Sequence, residues 1–302
     1  MVKVSVILPV YNVAPYLDET FQSLLNQSLQ EIEIIAVNDG STDNSEEIIK
    51  KYASQNPRIS YLNQENQGLS VTRNVALQHA TGKYIYMMDS DDIVSSPDAL
   101  KICYEYAEKN MADFIFFDGE RISENDKQHI SNIKRTHLVE ENTKYDGDYL
   151  LNLMLDNKTH NSVVWLLLIN HDFMKRISLE FYPGIIHEDE LFTTILTLKS
   201  SSIFCLKRSF IQHRVRSTSI MGQQYTKNNI SCYLTVFDEL FKYQNSNIIR
   251  KFAHYTLSKV FYTGHQIPFM DKFGVFWRAL KSGYLSYIGW KSVFVFWFKR
   301  KN

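Results

Sequence analysis

Two acidic clusters carry the residue types from which an active centre is built. Asp89-Ser90-Asp91-Asp92 follows the apolar run from Lys83 to Met88. Carboxylate oxygens on so tight a turn are the ligands Mg²⁺ or Mn²⁺ prefers, and such a cation stabilises a diphosphate leaving group as its charge grows. His187-Glu188-Asp189-Glu190 precedes the helical pattern from Leu191 to Leu198. A carboxylate there, partly desolvated and crowded by other acids, would have the raised pKa that a general base needs to deprotonate an attacking hydroxyl. Each cluster also has a plainer reading as a helix N-terminus, where caps and acids are favoured.

Three further segments add groups that recognise a nucleotide. Asn38-Asp39-Gly40-Ser41-Thr42-Asp43 ends a second apolar run. Asp39 is placed to accept from the N3–H of uracil or thymine, a donor cytosine lacks, while Ser41 or Asp43 suits a helix cap. In the stretch from Asn66 to Asn74, Gly68 opens a helix whose N-terminus can face an anion, and Arg73 offers a fork of donors to base or phosphate oxygens. An ordinary helix with one surface arginine explains the same residues. In the stretch from Gln212 to Ile220, alternation puts His213 and Val215 on one face and Arg214 and Arg216 on the other. The arginines suit a diphosphate and His213 a metal shell, with a solvated strand face as the alternative.

The elements that must position these groups follow from periodicity. Short apolar runs at 4–8, 32–37, 59–62, 83–88 and 113–117 alternate with helical spacings at 15–26, 41–52, 68–79 and 97–110. This is the pattern of βαβ units, and hence of a largely parallel α/β sheet covered on both faces. Ligands in such sheets bind outside the carboxyl ends of the strands, where Tyr11-Asn12, Asp39 and Asp89 fall. The polar stretch 119–145 reads as an insertion or loop, 146–216 as mixed, and 223 onward as mainly helical.

Taken together, the motifs resemble those of the inverting family 2 glycosyltransferases of bacterial capsule, O-antigen and lipooligosaccharide type. The segments Val6–Asn12, Val37–Asp43, Gly68–Asn74, Asp89–Asp92 and His187–Glu190 match in type and order. The resemblance is dense over residues 3–120 and thinner over 180–220. It departs at Thr72, where relatives carry Ala, and at Ile211 and His213, where they carry Tyr. The resemblance implies a Rossmann-like GT-A fold over 1–220, with 221–302 as a helical C-terminal extension. It also implies transfer of a sugar from a UDP-sugar donor to a saccharide or lipid-linked acceptor, with Mn²⁺ or Mg²⁺ as cofactor. Pro9, Tyr11 and Asn12 would form the base-stacking loop, Asp39 and Arg73 would contact uracil, and Asp89 would lie near the ribose. Gly68, Ser90 and Arg216 would complete the nucleotide-sugar side. Asp91 would bind the metal, with His213, His187 or neither as its third protein ligand, and Asp189 would be the catalytic base. A nucleotidyltransferase-type α/β enzyme and a non-catalytic glycan-binding module are the alternatives. The first lacks its phosphate-binding glycine loop here, and the second has no use for Glu188-Asp189.

Composition narrows the class further. Thirty-three basic and thirty-three acidic residues cancel, which gives no footing for nucleic acid. Cys103, Cys205 and Cys232 are odd in number and scattered, unlike a disulfide framework or zinc site, and fit a reducing cytoplasm. The opening residues read as a buried strand rather than a signal peptide, and no run approaches the ~20 apolar residues of a spanning helix. Charge is uneven, however. From Met270 to Asn302 there are seven basic residues and one acid, Asp271, with many aromatics interleaved. That tail is expected to rest on an anionic membrane surface at the inner face of the cell membrane, or else to pack as an ordinary helix.

Overall fold

The computed structural model describes residues 1–216, 224–244 and 246–299. Ser217, Ser219 and Ile220 of the arginine-bearing segment, and Arg300 and Lys301 of the tail, lie outside the described residues. Strands with apolar residues on both faces must be covered on both sides. β1 (Val4–Val10) is buried at every position and β2 (Ile32–Asp39) at all but one. They join β3 (Ile59–Gln64) and β4 (Tyr84–Met87) in parallel, in the order β3-β2-β1-β4. Alternation sorts their side chains into two cores. Val4, Val6, Leu8 and Ile34 enter one, and Ile7, Ile35, Val37 and Ile85 the other.

Helix α1 (Ala14–Leu25) shows how a crossover is secured. Pro15 occupies its first turn, where a missing N–H has no cost. Leu17, Phe21 and Leu24 recur on one face and are fully buried, and Phe21 stacks on Tyr52 of α2 (Ser45–Gln55) at 4.6 Å between centroids. Three such side chains contribute roughly 5–9 kcal/mol before the entropy of ordering is subtracted. Phe21→Ala alone would remove about 3–5 kcal/mol. Helices α3 (Leu69–Gln78) and α4 (Ala99–Asn110) complete the parallel half.

The second half is antiparallel in part, which strand periodicity does not disclose. Beyond the two-residue β5 (Ile93–Val94) come β6 (Phe114–Ser123), β7 (His129–Ile133), β8 (Leu167–Asn170) and β9 (Ile203–Val215). The described sheet runs β3-β2-β1-β4-β8-β6-β9-β5, with β7 paired to β6. β8 is antiparallel to both β4 and β6, so β6 and β9 run in the same direction as β4. The carboxyl end of β9, with His213 and Arg214, is thereby brought to the same edge as Asp39 and Asp89. The expected loop at 119–145 is in its first part a β-hairpin: β6 continues past Phe117 and pairs with β7. Its solvent side carries polar residues while Ile122 and Ile133 are buried.

Helices α5 (Gly147–Asp156), α6 (His171–Arg176) and α7 (Glu188–Lys199) follow, then the helices α8 (Lys227–Tyr243), α9 (Asn247–Thr263), α10 (Phe269–Lys281) and α11 (Trp290–Phe298). A third core joins Leu151 and Leu155 of α5 and Leu191 of α7 to Phe237, Phe252, Phe261 and Phe296 of this C-terminal group. The helix that starts with Glu188-Asp189 is thus backed by the C-terminal helices. Gly147 permits the close approach of α5 to α7, since a Cβ there would collide with the Thr197 carbonyl oxygen.

Candidate active site

The loops after β1 and β2 are stitched together at the carboxyl edge of the sheet. Asn12 adopts φ +51° and its Oδ1 accepts from Thr42 N at 2.7 Å, while its own N–H donates to Ser41 Oγ at 3.1 Å. Asp43 accepts from Ala14 N at 3.0 Å. Pro9 is buried in β1 opposite Val37 of β2. It shares an edge with Ile7, whose carbonyl accepts the last bond from the β4 side, so its missing N–H faces the place where β4 has ended. Tyr11 is half exposed, leaving an aromatic face free beside this loop.

Asp39 is the last residue of β2 and is buried. Its carboxylate accepts from Gln64 Nε2 at 2.7 Å, Gln67 N at 2.8 Å and Gly68 N at 2.9 Å. It therefore anchors the turn that opens α3. Gly68 sits there at φ +86°, a conformation costly for any residue with a Cβ. A carboxylate has about four lone-pair sites, so Asp39 keeps room for one more donor.

Arg73, one turn into α3, is the centre of the site. It is 2% exposed. Nη1 donates to Glu188 Oε1 at 2.8 Å and Asp189 Oδ1 at 2.9 Å, and Nη2 donates to Asp89 Oδ1 at 3.1 Å. The guanidinium also lies over the Phe181 ring at 4.9 Å. Both terminal nitrogens are thus turned to carboxylates rather than to an open pocket. Burial opposes the arginine's charge, but Asp189, Asp89 and Glu188 outweigh it and hold the proton more tightly than usual. Asp189 is pushed up to about 8, because burial and the neighbouring acids Glu188 and Asp89 exceed the pull of Arg73. Its side chain keeps 22% of its surface exposed. His187 precedes it in the left-handed region at φ +70°, an uncommon geometry for a residue with a side chain. Its ring stacks on Tyr233 at 4.3 Å, away from the aspartate turn.

The turn after β4 divides its acids by environment. Ser90 is buried, and its carbonyl accepts from Thr20 Oγ1. Asp91 Oδ2 lies 2.6 Å from Arg216 Nε in an ion pair. Burial and Asp89 raise its pKa, opposed by Arg216 and His213. Asp92 is fully buried, accepts from Arg214 N at 3.0 Å and meets His213 Nδ1 at 3.1 Å. Burial works to lower the His213 pKa, but Asp92, Asp89 and Asp91 outweigh it and raise the value. The ring stacks on Trp165 at 4.8 Å. Ligand atoms of Asp89, Asp92 and His213 lie within 4.8 Å of one another. Oxygen donors with one imidazole are a set that Mn²⁺ or Mg²⁺ accepts, so the residues present fit such an ion.

Several of these participants were not singled out as site residues by sequence. Glu188 shares Arg73 with Asp189, and Asp92, read only as part of its motif, stands among the clustered ligand atoms where Asp91 was expected. Arg214 donates to Glu19 Oε2 at 2.6 Å and to the carbonyls of Asp91 and Glu124. Arg214 and Arg216 both lie over the Tyr16 ring, as alternation on one face requires. The sequence assigns Arg214, with Arg216, to a diphosphate; in the structure its guanidinium is committed to these protein partners instead. A separate concavity of about 240 Å³, lined by Lys83, Glu108, Asp113 and Arg176, opens at the amino ends of β4 and β6, opposite this site.

A sheet covered by helices on both faces, with acids, a histidine and arginines at its carboxyl edge, has the architecture of the GT-A fold. The sequence profile of "Glycosyl transferase family 2" matches residues 5–176, and the chain belongs to that family. Among curated relatives, it is 30% identical over 220 residues to glycosyltransferase GlyA of Streptococcus pneumoniae serotype 4. That alignment covers 72% of this chain but only 31% of GlyA, so the chain spans about a third of that relative's length. Among solved structures, S. aureus TarS residues 1–349, in complex with UDP-GlcNAc, superposes with a TM-score of 0.70 at 20% identity, over 97% of this chain and 83% of that one. A mannosyltransferase from Pyrobaculum calidifontis, in complex with GDP-Man and Mn²⁺, gives 0.61 at 15% identity, over 93% and 76%. These two similarities concern the fold.

Proposed function

We propose that the chain transfers a sugar from a UDP-sugar to a hydroxyl of a saccharide or lipid-linked acceptor, with inversion at the anomeric carbon, in cell-surface polysaccharide synthesis. The observation that carries this reading is the single guanidinium of Arg73 holding Asp89, Glu188 and Asp189 together. It joins the donor side of the site to a carboxylate suited to act as base. Asp39, with one lone pair uncommitted, accepts from the base N3–H, and Tyr11 stacks on the ring. Asp89 and Ser90 border the ribose. Asp189 accepts the acceptor's proton while the hydroxyl oxygen attacks the anomeric carbon from the face opposite the diphosphate. One displacement inverts that carbon once. Arg216, which pairs with Asp91 in this structure, would pair with the diphosphate. Asp89, Asp92 and His213, with Asp91 beside them, would hold a divalent cation, which when bound supplies positive charge to the departing diphosphate. UDP-GlcNAc bound to TarS and the Mn²⁺ of the mannosyltransferase support the donor class and the ion.

The test is a donor panel. The chain is incubated with Mn²⁺ and UDP- or GDP-sugars, and slow hydrolytic release of the nucleotide is measured. Release from one UDP-sugar, abolished by chelator, is the expected result. Release from GDP-sugars alone would overturn the uracil assignment, and undiminished release in excess chelator would overturn the metal.

A further inference from the structure

A helix packed on a water-soluble protein normally turns polar residues outward. Helices α10 and α11 do the reverse. On α10 the large exposed side chains are Phe269, Met270, Phe273, Trp277 and Leu280, with Lys281 the one exposed charge. On α11, Trp290, Phe294 and Phe298 are 82%, 60% and 70% exposed and recur at i, i+4 and i+8 on one face. The tail's remaining aromatics point inward. Phe296 and Tyr284 are buried in the third core. Trp297 bridges the two helices, with ring centroids 6.0 Å from Phe269, 5.1 Å from Phe273 and 5.3 Å from Phe276. The two outward stripes are therefore fixed to each other and to the body of the protein.

We propose that this face is a docking surface for the interfacial region of an anionic lipid bilayer. A contiguous apolar patch of this extent marks a binding surface rather than ordinary exposure. Its charges choose the occupant. Lys281, Lys291 and Lys299 border it and are exposed, whereas Asp271 is already paired with Lys227 at 3.0 Å. In a two-fold contact with a second copy, the patch would meet itself and set these lysines against one another. A negatively charged lipid surface complements them, and amphipathic aromatic rings favour the headgroup level. The contact is interfacial, because no described helix is long and apolar enough to cross a membrane. Phe296 and Leu191 share one core, so docking would hold the first turn of α7, with Asp189, at a set height above the lipid.

The test uses the full chain and vesicles of phosphatidylcholine with or without phosphatidylglycerol. Wild type should sediment with the anionic vesicles, weakly with neutral ones, and the emission of exposed Trp277 and Trp290 should shift to the blue. Trp277→Ser/Trp290→Ser/Phe294→Ser alters exposed residues only and should lose at least tenfold in vesicle affinity with unchanged circular dichroism. Lys281→Glu/Lys291→Glu/Lys299→Glu should lose more than a hundredfold, since each lysine near such a surface contributes roughly fivefold. Equal binding by wild type and the aromatic variant would overturn the proposal. So would a wild-type dimer that the aromatic variant converts to monomer without any vesicle binding. The assay reads binding without turnover, so its failure and failure of the transferase reading are distinguishable.

Discussion

Replacing Arg73 with glutamine removes the cation shared by Asp89, Glu188 and Asp189, and the first consequence is a shift in the pH dependence of turnover. A base must be ionised to accept a proton, so activity rises as pH climbs through the pKa of Asp189. In the wild type that value is already raised to about 8, with Arg73 as its largest lowering influence. Two unit charges ~4 Å apart at an effective dielectric of about 20 interact by about 4 kcal/mol, equivalent to about 3 pH units. The Asp189 side chain retains 22% exposure, so solvent screens part of this and the expected rise is about 1–2 units. The rising limb of the rate profile for UDP release should therefore move upward by that amount, with a plateau within about tenfold of wild type. Arg73→Lys keeps the charge and should leave the midpoint nearly in place. Its rate should fall, because a single ammonium cannot reproduce the fork by which Nη1 reaches Glu188 and Asp189 while Nη2 reaches Asp89. Folding of both variants is checked by thermal unfolding, since loss of a buried pairing partner costs about 3–5 kcal/mol. A uniform fall in rate at every pH, with an unmoved midpoint and strongly weakened UDP binding, would refute the reasoning and return Arg73 to the uracil contact its motif implies.

Other perturbations follow from the same geometry. His213→Ala should raise the Mn²⁺ concentration for half-maximal activity by at least about 10–100-fold, read by metal titration; an unchanged requirement would remove His213 from the metal shell. Gly68→Ala forces a Cβ into a φ +86° turn and should weaken UDP binding, measured by calorimetry, while leaving the pH midpoint intact. Gly147→Ala drives a methyl into the Thr197 carbonyl oxygen and should lower Tm by roughly 5 °C or more, with the donor affinity of the remaining folded protein unchanged.

The parallel half of the sheet was legible because each strand and helix there carries its own period. The runs at Val4–Val10 and Ile32–Asp39 are apolar on both faces, and α1 repeats Leu17, Phe21 and Leu24. The second half was not, because β8 enters between β4 and β6 and reverses direction, a pairing set by contacts far apart in sequence. The polar residues of β6 beyond Phe117, such as Glu120 and Arg121, mimic a loop. In the site, residue types were legible and partners were not. Asp39, Asp89 and Asp189 stand out as acids at or just beyond strand ends or at a helix start. That Arg73 would meet Asp189, 116 residues away, or that His213 would meet Asp92, 121 residues away, has no local signature. The tail's aromatics looked alike in sequence, and helical phase divided them into an inward set around Phe296 and an outward set around Trp290.

The assignment of Asp189 as base is tested most directly by Asp189→Asn, which keeps the shape of the side chain and removes its proton affinity. Calorimetric UDP affinity should stay within a few-fold of wild type, while turnover of the UDP-sugar found in the donor panel should fall by about 10²–10⁴. Turnover near the wild-type level in a variant that still binds UDP would contradict the account.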